Sequence, residues 1–227
     1  MKWAGDEPYY EAVTGRPETL LVQLHSWSGT KDEALASPDL YAVPNCVWVC
    51  PHFGGQNNHP QGAGHPAQLE RIKRVIDKAR LDYDSRRIIL IGGSGGGYMC
   101  MMVAGAFPGL VHGITSWVGI HDLAAWWNES PNYRESLTAC FGGGPVGREA
   151  EYLARSPKGV LPNARNLIAY INHGTSDAEV LPHHGADAAA QLTGLPGVTV
   201  HHNPFAGGHV IKYPEAIQQI NSIARLT

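Results

Sequence analysis

Ser94 lies in the run Gly92-Gly93-Ser94-Gly95-Gly96. A serine hydroxyl becomes a nucleophile only when a base takes its proton and a third group orients that base. Gly92, Ser94 and Gly96 have the G-x-S-x-G spacing of a nucleophile elbow, a sharp strand-to-helix turn that strains the serine backbone and lifts Oγ into the open. Neighbours carrying a Cβ would clash there. The N–H groups opening the next helix would face the negative charge that develops on a reacting acyl group. Two other readings compete. Gly93 and Gly95 begin a dinucleotide-type G-x-G-x-x-G, but Tyr98 replaces its third glycine, and the run follows a late strand, not the first. Alternatively, the glycines serve only close strand–helix packing.

A base and an acid are available downstream. Asp177 follows the apolar run Asn166 to Asn172, and His209 follows Val198 to His202 and the pair Gly207-Gly208. His209 would take the serine proton and return it to the leaving group, while Asp177 would hold the imidazole tautomer. Taken singly, His209 reads equally as a turn histidine, and Asp177 as an N-cap or Asx-turn residue. Asp122 is a rival acid, with helix capping as its plainer role. The sequence holds twelve histidines, including His52, His59 and His65 in one loop and the pairs 183–184 and 201–202. None forms H-x-x-x-H on a helix, and no C-x-x-C occurs, so neither a metal nor a cofactor is expected.

The elements that must carry these residues alternate. Strands are predicted at Tyr9 to Val13 (a short edge strand), Thr19 to His25, Val47 to Pro51, Ile88 to Ile91, Gly113 to Ile120, Asn166 to Asn172 and Val198 to His202. Helices are predicted at Lys31 to Ala36, Ala67 to Ala79, Tyr98 to Ala106, Glu149 to Ala154, His183 to Leu192 and Tyr213 to Ala224, with Asn128 to Pro162 otherwise irregular. The long loop His52 to His65 has the length of a functional one. This alternation implies right-handed βαβ units, a mostly parallel central sheet and helices on both faces.

With 227 residues, 43% of them hydrophobic, the chain suits one domain with a sizeable core. A net charge of −3 without a basic tract argues against nucleic acid and anionic membranes as partners. No run of about 18 apolar residues exists, so no transmembrane helix is expected. Met1 to Tyr10 has no apolar core of a signal peptide. Of the four cysteines, Cys46 and Cys50 lie about 13 Å apart along one strand, too far to bridge each other, and Cys100 reads as a small buried residue.

Together, the Gly92–Gly96 elbow, His173-Gly174-Thr175-Ser176-Asp177 with Val180 and Pro182 nearby, and Gly207-Gly208-His209 resemble an α/β-hydrolase over about residues 19 to 224. The branch is that of prolyl oligopeptidase, dienelactone hydrolase and small feruloyl or acetyl-xylan esterases. The order Ser, Asp, His is the one that fold uses. The resemblance implies an α/β-hydrolase fold with a minimal cap and a triad of Ser94, Asp177 and His209. It also implies an oxyanion hole from the N–H groups of Gly95 and Trp27, although the usual His-Gly after the early strand is His25-Ser26 here. Trp126, Trp127, Phe53, Asn58 and His59 fall on loops at the expected site edge, where aromatic faces and amides suit a sugar or planar acyl group. The expected activity is that of a serine carboxylesterase acting on small or polysaccharide-linked acetyl or hydroxycinnamoyl esters. A prolyl oligopeptidase-like peptidase is the first alternative, with short length favouring esters because the full enzymes carry a β-propeller. A non-catalytic binding protein is the second.

Overall fold

The computed structural model describes residues 1–226. Eight strands form one sheet: β1 (Lys2–Ala4), β2 (Glu7–Thr14), β3 (Thr19–Gln23), β4 (Cys46–Pro51), β5 (Arg87–Gly93), β6 (Gly113–Trp117), β7 (Leu167–Gly174) and β8 (Val198–Phe205). Their spatial order is β1-β2-β4-β3-β5-β6-β7-β8. β1 and β2 pair antiparallel, as do β2 and β4, and every other neighbouring pair is parallel. The α-helices are α1 (Pro66–Tyr83), α2 (Gly95–Ala106), α3 (Leu123–Glu129), α4 (Arg134–Phe141), α5 (Glu149–Ala154), α6 (Pro157–Val160), α7 (His183–Leu192) and α8 (Tyr213–Leu226). This is the α/β-hydrolase fold.

The central strands read as unbroken apolar runs because both of their faces are covered. Successive side chains alternate between faces. Leu20, Val22, Ile88 and Leu90 join a core with α1, α2 and α7. Leu21, Ile89 and Ile91 join a second core with α8 and the 3₁₀ turns Lys31–Ala36 and Pro38–Ala42. All four cysteines are free and buried. Among the described residues no helix is long and apolar enough to cross a membrane.

Several boundaries differ from the sequence reading. The strand expected at the edge, β2, is interior, because β1 pairs outside it through the turn at Gly5, whose φ is +65°. Asn128 to Pro162, read as irregular apart from one helix at Glu149 to Ala154, carries the end of α3 and all of α4 and α6 besides that helix, α5. Lys31–Ala36 is 3₁₀ in form. α2 starts on Gly95, not on Tyr98, so three glycines of poor helix propensity form its first turn. Close packing explains that start, as the site shows.

Candidate active site

Ser94, Asp177, His209 and Trp27 follow the carboxyl ends of β5, β7, β8 and β3, one edge of the sheet, where open α/β sheets place their ligands. The Ser94 backbone has φ +56° and ψ −121°, a conformation that costs a non-glycine residue roughly 1–3 kcal/mol and needs outside support. That support comes from its N–H, which donates to Trp117 O at 2.9 Å, and its C=O, which accepts from Tyr98 N at 2.9 Å. Ser94 is half-buried.

The histidine loop is tied down on both sides. Ser176 N donates to Gly207 O at 2.9 Å, and Thr175 N donates to Phe205 O at 2.9 Å. A Cβ at Gly174 would collide with the Gly208 carbonyl, so bare backbones lie against each other here. Two residues past His209, Ile211 covers the elbow: a Cβ at Gly93 would come 2.7 Å from its Cδ1. His209 Nδ1 donates to Asp177 Oδ2 at 2.8 Å. Among the described residues neither Ser94 Oγ nor His209 Nε2 has a hydrogen-bond partner.

Asp177 is almost fully buried. Its Oδ1 accepts from the N–H groups of Glu179 (2.9 Å) and Val180 (3.1 Å). Its Oδ2 also meets His173 Nε2 at 3.4 Å, whose nearer partner is Val180 O at 2.8 Å. Burial pushes this carboxyl up. The hydrogen bonds from His173, His209 and the Val180 amide more than offset that and hold it well below the usual carboxylate range, so it is ionised. A charged carboxylate facing Nδ1 leaves the lone pair of a neutral His209 on Nε2.

Gly95 packs on the oxyanion candidate Trp27 so closely that a Cβ would collide with the Trp27 backbone nitrogen. Neither amide nitrogen has a partner among the described residues. Around Trp27 the backbone is held from several directions. Its carbonyl accepts from Asn57 N (3.0 Å) and Asn57 Nδ2 (3.2 Å), and its indole N–H donates to Ser136 Oγ (2.9 Å). His25, before it, lies between Ser26 O and His52 O, 2.9 Å from each, and stacks on Phe53 at 3.7 Å. Burial pushes this imidazole down to about 4, so it is neutral near pH 7. The loop at 52–65 is fastened by Asn57 and by Arg155, whose guanidinium donates to the carbonyls of Ala63, Cys140, Pro60 and Gly62.

The aromatic residues expected to line the substrate pocket divide. Trp126 is 1% exposed, wedged between Trp27 and Tyr133, with its indole N–H on Glu179 O. Phe53 is likewise 1% exposed beneath His25. Both are core residues, a correction that follows from flat apolar rings finding partners at the back of the site loops. Trp127 is half-buried against Tyr152 and Arg134. Asn58 is exposed and His59 half-buried, each hydrogen-bonding within its own loop. The supporting roles of His173, Asn57 and Ser26 are not among the sequence expectations, although His173 stands in the His173–Asp177 run and Asn57 in the loop expected at the site edge.

Among the described residues one cluster has the composition of a metal site: Glu129, His183 and His184, with donor atoms within 4.8 Å of one another. His184 Nδ1 accepts the N–H of His121 (3.1 Å) and of Asp122 (3.3 Å). The ring proton must therefore sit on Nε2, which donates to Glu129 at 3.0 Å and has no lone pair to give a metal. The cluster is a hydrogen-bonded clamp between α3 and α7.

Comparison with known proteins agrees with the architecture. The chain superimposes on Pyrococcus horikoshii acylaminoacyl peptidase with a TM-score of 0.73 at 15% identity, over 96% of this chain and 38% of that one. A post-proline cleaving enzyme from Rickettsia typhi gives 0.73 at 16%, over 96% and 35%. A bifunctional GH43-CE protein of Bacteroides eggerthii gives 0.70 at 16%, over 96% and 35%. The chain thus spans little more than a third of the length of these structures. No curated protein matches the sequence. Residues 66–225, more than half of the chain and the part holding Ser94, Asp177 and His209, match the prolyl oligopeptidase family, and this chain belongs to it.

Proposed function

We propose that the chain cleaves short peptides or amides at an acyl bond through an acyl-enzyme on Ser94. His209 is the base and Asp177 the orienting acid, with the N–H groups of Gly95 and Trp27 as the oxyanion hole. The observation that carries the reading is the 2.8 Å bond from His209 to a buried, ionised Asp177, on loops that flank a serine held at φ +56°. His209 Nε2 takes the Oγ proton as Oγ bonds to the acyl carbon, then delivers that proton to the leaving nitrogen. Water reverses the sequence and releases the acid. The family match, and the names of the two peptidases above, favour peptide bonds over the esters expected from sequence. A carboxylesterase acting on small or carbohydrate-linked esters is the second reading, favoured by the GH43-CE neighbour.

The test is a panel of aminoacyl and acyl-aminoacyl p-nitroanilides, p-nitrophenyl acetate, methyl ferulate and acetylated xylan, with fluorophosphonate labelling. Labelling at Ser94 with anilide turnover supports the peptidase reading, and ester turnover alone supports the second. Ser94→Ala should lower kcat by about 10⁴ to 10⁶ with the fold intact. Near-normal turnover by that variant would sink the mechanism, and an unlabelled wild-type protein would favour a binding role.

A further inference from the structure

We propose that Glu33 is a positioning residue that aims the Trp27 amide at the oxyanion; this rests on the acyl-transfer reading above. In a trans peptide the C=O and N–H point in opposite directions. The peptide between Ser26 and Trp27 is held by its oxygen, which accepts from Gly29 N at 3.1 Å and lies 2.9 Å from His25 Nδ1. Its other end, the Trp27 N–H, has no partner among the described residues, and its nitrogen lies against Gly95. The peptide before it is held by its nitrogen. Ser26 N donates to Glu33 Oε2 at 2.8 Å, and Ser26 Oγ donates to the same oxygen at 2.8 Å. One carboxylate oxygen thus takes both donors of Ser26, and the residue that pivots the Trp27 peptide cannot rotate without breaking them.

Glu33 is itself held in place. It lies in the 3₁₀ turn Lys31–Ala36, its N–H donates to Thr30 O, and its carbonyl accepts from Ser37 Oγ at 3.2 Å. Ser37 in turn meets Gln23 and Tyr213. No cation pairs with Glu33 among the salt bridges of the described residues. A bare carboxylate near an anion-binding site opposes the oxyanion by charge, so its benefit to the site lies in its hydrogen bonds. It also explains how Ser26 can stand in place of the glycine usual after this strand: the added hydroxyl has an acceptor waiting.

The test compares Glu33→Ala, Glu33→Gln and Ser26→Ala on an aminoacyl p-nitroanilide and p-nitrophenyl acetate. An oxyanion donor is worth about 10² to 10³ in kcat, so a misaimed one in Glu33→Ala should cost about 10-fold to 100-fold. KM should stay within roughly threefold, since a transition-state interaction is what is lost. Affinity for a trifluoromethyl ketone should fall with kcat/KM. Glu33→Gln keeps an acceptor oxygen and should retain most of the rate, and Ser26→Ala should lose a few-fold in kcat. Wild-type kcat in Glu33→Ala or a loss confined to KM would overturn the inference. If Glu33→Ala fails to fold, an undiminished kcat in Ser26→Ala overturns it instead. Failure of the underlying reading is separate: it shows as a wild-type protein unlabelled at Ser94 or an active Ser94→Ala.

Discussion

Asp177 and Asp122 both stand just beyond a strand of the sheet, and what their oxygens touch separates them. Asp122 Oδ1 caps α3 through the N–H groups of Ala124 and Ala125, and its Oδ2 pairs with Lys158 at 2.9 Å. Asp177 faces two imidazoles and is buried. Replacing Asp177 by Asn puts an N–H donor within reach of His209 Nδ1 and favours the wrong tautomer, so Asp177→Asn should lower kcat by about 10⁴. Asp122→Asn keeps a capping oxygen and should cost at most about 1 kcal/mol of stability with kcat nearly unchanged. The comparison is kcat and the unfolding midpoint of both purified variants; a worse kcat in Asp122→Asn would reassign the acid.

The tryptophans of α3 belong to the scale of elements, because Trp126 joins α3 to Trp27 below and to the Glu179 carbonyl at its side. Trp126→Ala should cost about 3–5 kcal/mol, the usual loss for a buried ring, and should slow large and small substrates alike. A selective loss on bulky substrates at unchanged melting temperature would return the ring to the pocket wall. The same element shows where sequence was legible. Central strands betrayed themselves through apolar runs, and the pairing of Asp177 with His209 through neighbouring glycines and chain order. α4 stayed hidden and α3 was marked only by its cap, Asp122: their polar residues satisfy caps and neighbouring loops instead of marking an amphipathic period. β1, three residues long, has no periodicity to read. The supports of the site were equally invisible, since Asn57 with Trp27, Arg155 with Ala63, and His173 with Val180 are partners fixed by loop paths, not by spacing.

At the scale of the whole molecule, the acid response follows from histidines that the fold keeps neutral. Burial first, then neighbouring His183, pushes His184 down to about 4 despite the hydrogen bond to Glu129. Its Nδ1 cannot take a proton without facing the two N–H groups that already point at it. His25 is pushed to about 4 by burial, against the pull of its two carbonyl neighbours. Both folded values lie below the ordinary 6.5, so between about pH 6.5 and 4 the unfolded chain binds more protons than the folded one. Stability therefore falls as pH falls through that window, by up to about 1.4 kcal/mol per pH unit for each histidine. Asp177, with its depressed carboxyl, adds a further loss below the ordinary carboxylate range. Glu7 works in the opposite direction, because burial raises its carboxyl and its protonation on acidification favours the fold. Burial also pushes His52, His65, His112 and His121 down, while at His183 burial is outweighed by hydrogen bonds to Glu129 and Asp187, which raise it. Six lowered histidines against one raised histidine and Glu7 leave a net decline from pH 7 to 5. The measurement is urea unfolding followed by tryptophan fluorescence at pH 7.5, 6.5, 5.5 and 4.5, on wild type and His184→Gln. Gln keeps an acceptor for the His121 and Asp122 amides and a donor for Glu129, but it does not titrate, so the variant should show a shallower decline by about one proton's worth of slope. A wild-type stability that is flat or rising toward pH 4.5, or a His184→Gln slope equal to that of wild type, would mean that His184 is already protonated in the fold and that the α3–α7 clamp is an ion pair.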